Sequence, residues 1–210
     1  LILLLVFHID DGYVAGKPEE VRKLMAHLQA SVEVLEIGRM DEHLGVSYSL
    51  QKDNVGWYYE SKMDKYINKV VIEYEHDMKI QLKDYPTPAA PGSNLMKLDD
   101  QQEKPDRMDQ FRKYIVKILY TGVKVIPDCS NAIRDLTCHM TAPGQEHWKA
   151  LERLLGYLKF HYKPMKFRAP KELRVIAMFD SDWATDKNDR RSISSYLTTI
   201  GGTSLVSWQS

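Results

Sequence analysis

Cysteine is scarce in this chain: Cys129 and Cys138 are the two in 210 residues. Two thiols make no disulfide framework, and neither stands at metal-ligand spacing from a histidine or from the other. They read as reduced thiols of an intracellular protein. Net charge is also missing, with 29 Lys and Arg against 29 Asp and Glu. No global field therefore draws the chain to nucleic acid, and a binding surface has to come from local charge segregation. No apolar run approaches the roughly 20 residues that cross a bilayer, so no membrane partner is expected. The run Leu1–Phe7 lacks the basic flank and small-residue cleavage site of a signal peptide.

What is present is enough apolar material for a core. Hydrophobic residues make up 43% of the chain, and this length suits one large domain or two small ones. In Leu1–Gly16, two apolar β-prone runs flank Asp10-Asp11-Gly12. This pattern predicts a β-hairpin with Asp10 and Asp11 at its tip. Adjacent carboxylates on a rigid hairpin are one way to hold a hard divalent cation, since Mg²⁺ takes a few carboxylate oxygens plus water and substrate phosphates. Two such ions ~4 Å apart clamp the attacking and leaving oxygens of a phosphoryl transfer. Asp-Asp-Gly is equally an ordinary solvated turn, and the residue types alone leave both readings open.

Further along, Pro18, Glu19 and Glu20 start a helix with Val21, Leu24, Met25 and Leu28 on one face. Val46, Tyr48 and Leu50 alternate as a strand, 53–56 turn, and Trp57-Tyr58-Tyr59 return. Ser61 and Asp64 have capping-box spacing before an amphipathic helix carrying Met63, Tyr66, Ile67, Val70, Val71 and Tyr74. The proline-rich stretch 83–104 reads as a linker. A second helix covers Phe111 to Tyr120. In 139–162, Trp148, Leu151, Leu155, Leu158 and Tyr162 form an apolar seam, and His147 is expected to make a helix-start hydrogen bond. From Lys149 to Arg174 there are eight Lys and Arg against Glu152 and Glu172. Such a local excess suits a nucleic-acid backbone, and an ordinary solvated face competes with that reading. Finally, 175–179, 196–200 and 204–208 read as three consecutive antiparallel strands, with a turn at Asn188-Asp189.

Several of these stretches resemble one family. Phe7-His8-Ile9-Asp10-Asp11 is similar to the Y/F-x-D-D hairpin of reverse transcriptases, with His8 where an aromatic usually stands, and Val14-Ala15-Gly16 resembles the return strand in the copia-type retrotransposon branch. Glu36-Ile37-Gly38 and Leu44-Gly45-Val46 resemble the D-L-G and F-L-G-I segments that follow, and Pro86-Thr87-Pro88 the T-P segment that ends the thumb. The helix from Phe111 to Tyr120 resembles Y-R-x-x-V-G-x-L-x-Y with Val116 for Gly, and Pro127-Asp128 resembles R-P-D with Ile126 for Arg. Pro143 to Ala150, followed by Arg153 to Lys159, is close to P-x-x-x-H-W-x-A-x-R-I-L-R-Y-L-K. Asp180-Ser181-Asp182-Trp183-Ala184, with Arg190-Arg191-Ser192, resembles the opening of the copia-type RNase H domain.

The resemblance implies an α+β chain. It would hold a partial palm over 1–60, a thumb-like helix and linker over 61–104, connection-like helices over 105–173, and the opening antiparallel strands of an RNase H-like domain over 174–210. The implied function is RNA-directed DNA synthesis with a linked hybrid nuclease. Asp10 and Asp11 would bind Mg²⁺ or Mn²⁺ for polymerisation, and Asp180 for RNA cleavage. His8, Lys149, Arg153 and Lys159 would touch nucleic acid. Implied partners are an RNA template, a DNA primer, an RNA–DNA hybrid, dNTP and the remainder of a Gag-Pol polyprotein, in a cytoplasmic virus-like particle or the nucleus. The chain begins without Met and ends at Trp208-Gln209-Ser210, and is expected to be a piece of a longer polyprotein. The family's third polymerase Asp would precede Leu1 and the further nuclease acids would follow Ser210, so this piece alone is expected not to extend a primer. A rival expectation, favoured by His8, Val116 and Ile126, is a degenerate or co-opted fragment that only binds nucleic acid or a partner.

Overall fold

A computed structural model describes residues 3–9, 11–35, 38–98, 105–184, 188 and 190–210. Asp10, Glu36, Ile37, Asp189 and the end of the proline-rich stretch thus lie outside the described residues. The chain forms two compact units, Leu1–Asp41 and Glu42–Ser210. In the first, β1 (Leu4–His8) and β2 (Asp11–Ala15) pair antiparallel and are followed by α1 (Pro18–Gln29). Pro18 opens α1 with Glu19 and Glu20 in its first turn, as its dipole favours. Val21, Leu24, Met25 and Leu28 are half-buried while residues 22, 23, 26 and 27 between them are exposed, so the expected face is present.

The second unit begins with β3 (Glu42–His43), β4 (Val46–Lys52) and β5 (Trp57–Lys62), continues through α2 (Asp64–Met78), α3 (Met108–Gly122), α4 (Ser130–Thr137) and α5 (Gln145–His161), and ends with β6 (Met165–Arg168), β7 (Val175–Asp182), β8 (Ile193–Ile200) and β9 (Ser204–Gln209). One antiparallel sheet has the order β3-β4-β5-β6, the other β7-β8-β9. The α+β expectation is met. The core lies among the apolar faces of the helices: Tyr74 and Tyr114 meet edge-on with centroids 4.8 Å apart, Phe111 and Trp148 at 5.2 Å, over buried Leu151 and Leu155. Ser204 ties the two sheets. Its hydroxyl accepts from the Arg168 N–H at 2.9 Å and donates to the Arg168 carbonyl at 3.0 Å. The Trp208 indole donates to the Gly122 carbonyl at 3.1 Å and fixes β9 to the end of α3.

Two expectations differ from the structure. Ser61 is no helix cap. It sits within β5, paired with Tyr48 and Met165, and α2 begins at Asp64 behind Met63 with no side-chain cap. The strand ladder has claimed the position that capping-box spacing assigned to the helix. The proline-rich stretch also departs from a free linker over its described part. From Leu82 to Thr87 it lies along α5 as a strap. The Leu82 N–H donates to Glu75 at 2.7 Å, and Arg153 donates to the Thr87 carbonyl at 3.2 Å and hydroxyl at 2.8 Å. Gly156 makes room for it, since a Cβ there would run into the Lys83 carbonyl and come within 2.8 Å of the Tyr85 ring. Prolines remove donors from such a segment without preventing it from packing.

Ion pairs lock α2 to α3. Lys113 bridges Glu73 at 2.6 Å and Asp77 at 2.8 Å, Lys117 also holds Glu73, and the Tyr114 hydroxyl donates to Asp77 at 2.6 Å. Lys113 and Lys117 hold Glu73 below the usual carboxylate range, and Lys113 and Tyr114 do the same for Asp77. In the β4–β5 turn, Asp53 pairs with Arg168 of β6, and its carboxyl drops from 3.8 to about 2, first through Arg168 and then through the Val55 and Gly56 amides. A carboxylate lowered on folding stabilises the fold above its ordinary value and loses that contribution as pH falls through the lowered one. The stability difference between the unaltered chain and Arg168→Met should therefore hold constant from neutral pH down to 3.8 and narrow toward about 2. Urea unfolding at stepped pH checks this, and a gap unchanged to the lowest pH would contradict it.

Candidate active site

The hairpin register fixes where its carboxylates go. His8 stands opposite Asp11, and Phe7 opposite Gly12. Ile9 is therefore the first residue after the paired part of β1, and Asp11 is the first residue of β2. This moves Asp11 off the tip where the sequence pattern put it. Asp10 lies outside the described residues. Two-residue hairpin loops need a positive φ at their first position. Ile9 supplies it with φ 55°, a left-handed conformation that costs a β-branched residue on the order of 1–3 kcal/mol. Gly12 is not the turn residue. A Cβ on it would lie 2.8 Å from Phe7 Cε1, so its bare backbone leaves space for the cross-strand ring. Asp11 is exposed, and its charge, after partial burial, helps hold the Tyr13 phenol above its usual value.

Asp180 lies in β7 opposite Ser195, and Asp182 opposite Ile193. Strand alternation places both carboxylates on one face. An open cavity of about 610 Å³ adjoins Asp180, lined also by Phe179, Ser194, Ser195 and Tyr196. Beyond β7, the Ala184 N–H donates to the Ser192 hydroxyl at 3.2 Å. Among the described residues, no group of three or more His, Cys, Asp or Glu gathers as a closed metal cage.

The basic residues singled out in the sequence have protein partners. Lys149 bonds Glu146 at 2.7 Å on the exposed side of α5. Arg153 holds the strap at Thr87 and lies 5.0 Å from the centre of the Tyr85 ring. Lys159 donates to Glu75 at 2.7 Å and keeps that carboxyl below its usual range. His8 is exposed in β1. His147 behaves as its position in the sequence predicts: it is buried, and its Nδ1 accepts from the Gly144 N–H at 2.8 Å. Its ring also stacks on His139 at 4.0 Å, a contact with no sequence signal. Thr87 and Glu75, which fix Arg153 and Lys159, were likewise invisible; glycine inside a helix at 156 was the one sign that something crosses α5 closely. Both cysteines are free, Cys129 buried and Cys138 exposed, and no helix among the described residues is long and apolar enough to cross a membrane.

No protein-family model matches the chain, and no solved structure matches it. Over 99% of its length it is 25% identical to the retrovirus-related Pol polyprotein from transposon TNT 1-94 of Nicotiana tabacum, of which it spans 16%. Over 62% of its length it is 32% identical to the corresponding polyprotein from transposon RE1 of Arabidopsis thaliana, of which it spans 9%. Over 44% it is 35% identical to secreted RxLR effector protein 161 of Plasmopara viticola, of which it spans 66%. Along nearly its whole length, then, this chain is similar to a retrovirus-related Pol polyprotein of a plant transposon.

Proposed function

We propose that the chain is a transposon-derived segment of an RNA-directed DNA polymerase joined to the start of its ribonuclease H. The observation that carries this reading is the order of three motifs on fitting elements: Asp11 at the start of a hairpin return strand, His147-Trp148 in the first turn of α5, and Asp180 in the first of three antiparallel strands. The similarity to a Pol polyprotein over 99% of the chain supports it. Asp10 and Asp11 would hold Mg²⁺ or Mn²⁺ with the incoming dNTP, and Asp180 would hold it against an RNA–DNA hybrid. The ion would supply charge stabilisation to the phosphate oxygens. This chain's residues do the positioning: the His8–Asp11 pairing aims the hairpin carboxylate, and the Ser195 pairing aims Asp180. His8 and Lys149 would meet the nucleic-acid backbone, while Arg153 is tied to the strap at Thr87 and Lys159 to Glu75 of α2.

Binding tests this reading without requiring turnover. The chain should bind an RNA–DNA hybrid with an affinity that falls as salt rises. Mn²⁺ should strengthen that binding, and the Asp10→Asn/Asp11→Asn double variant should lose part of the Mn²⁺-dependent gain, the rest going when Asp180→Asn is added, while its metal-free affinity stays within about twofold. Fluorescence anisotropy reads both. No hybrid binding at low salt, or a Mn²⁺ gain untouched by the double variant, would overturn the reading.

A further inference from the structure

Side chains from two distant elements grip one short run of backbone, 95–97. From α5, His147 reaches it. Because Nδ1 accepts from the Gly144 N–H, the ring proton sits on Nε2, which donates to the Met96 carbonyl at 2.9 Å. From the β7–β8 connection, Asn188 reaches it twice. Its Oδ1 accepts from the Lys97 N–H at 2.6 Å, and its Nδ2 donates to the Leu95 carbonyl at 3.0 Å. The carboxamide copies the donor and acceptor pairing of a neighbouring strand, and that pairing also fixes which way the amide faces.

We propose that 95–97 is a clasp that couples the start of α5 to the β7–β8 connection, so that loosening either grip loosens the other. Neither grip closes on a secondary-structure element of its own. The backbone between them is held by these side chains, and Met96 lies directly between the two residues that Asn188 binds. If Asn188 lets go, Met96 loses the two flanking anchors that hold its carbonyl toward His147. If His147 lets go, the Asn188 amide faces a segment free to turn. Asp180 stands eight positions before Asn188, so the hold on Asn188 beyond that carboxylate depends on α5. This coupling is independent of any activity of Asp180.

Amide-resolved hydrogen exchange on the whole chain tests it. Asn188→Ala should speed exchange of the Lys97 amide roughly tenfold. It should also speed the Gly144 amide, which bonds His147, at least about threefold, since coupling between sites is reciprocal and partial. His147→Asn keeps an oxygen for Gly144 and loses the reach to Met96. It should speed the Lys97 amide and the Ala184 amide, which bonds Ser192, at least about threefold. In the double variant the effects at Lys97 should be less than multiplicative. Acceleration confined to the altered side in either single variant overturns the clasp. Should His147→Asn fail to fold, Asn188→Asp, which keeps the acceptor and loses the donor, is read at Gly144 by the same rule.

Discussion

Gly156→Ala is expected to destabilise the chain, against ordinary helix preference. Alanine inside a helix is normally favoured over glycine by about 1 kcal/mol. Here the added Cβ would run into the Lys83 backbone carbonyl and stand 2.8 Å from Tyr85 Cδ2. A side-chain tip can swing away from such a contact, but a strap carbonyl moves only if the strap moves. That motion strains the Leu82–Glu75 and Arg153–Thr87 hydrogen bonds together. Overpacking of this kind costs about 1–3 kcal/mol, enough to outweigh the propensity gain. A lower urea midpoint with an unchanged slope is the expected result, and a higher midpoint would mean that the strap does not sit on α5.

Trp148→Ala should cost more. The indole is 4% exposed, meets Phe111 edge-on, lies beneath Arg107 at 4.4 Å and donates to the Asp106 carbonyl at 3.0 Å. Truncating a buried tryptophan costs about 3–5 kcal/mol through lost transfer energy and the cavity left behind. The Asp106 carbonyl also loses its donor, which adds part of a desolvation penalty. A fall in melting temperature of roughly 10 °C or more follows for a unit of this size, read by near-ultraviolet circular dichroism. Trp148→Phe keeps most of the ring contacts and loses the hydrogen bond, and should fall between the two. A melting temperature within about a degree of the unaltered chain for Trp148→Ala would contradict the placement of the core.

Local periodicity carried much of the fold in the sequence. The apolar spacing of α1, α2 and α5, the alternation in β4 and the three closing strands β7, β8 and β9 all stand where the pattern placed them. Non-local pairing was not legible. The stretch from Met165 to Arg168 reads as part of a basic tract, and it becomes β6 because β5 offers it an edge more than a hundred residues away. The short helix α4 gave too few turns for a period to show. Ser61 misled because a capping box and a strand end use the same residues, and the tertiary ladder decided between them. Over 83–98, the described part of the proline-rich stretch, proline content reported the absence of helix and strand correctly, but said nothing about packing.

The candidate site was legible in part for a similar reason. Asp180 at the end of a β-prone run needs only strand alternation to place it, and β7 does so. The hairpin was legible as a hairpin, while its register was not: an Asp-Gly pair is a strong turn signal, and the Phe7–Gly12 and His8–Asp11 pairings put both Asp11 and Gly12 in the return strand. The cations of α5 looked available because sequence shows charge without partners. Glu146, Thr87 and Glu75 supply those partners from positions up to 84 residues away.

The most direct measurement is a Mn²⁺ titration followed by amide relaxation, with an RNA–DNA hybrid present. A paramagnetic ion broadens the amides nearest to where it binds. Selective broadening is expected at His8 and Gly12 on the hairpin, and at Ser181 and Ser195 beside Asp180. Asp10→Asn/Asp11→Asn should remove the first pair of effects and leave the second, and Asp180→Asn should do the reverse. Broadening spread evenly over exposed carboxylates, or centred elsewhere and indifferent to these substitutions, would contradict the assignment of the two sites.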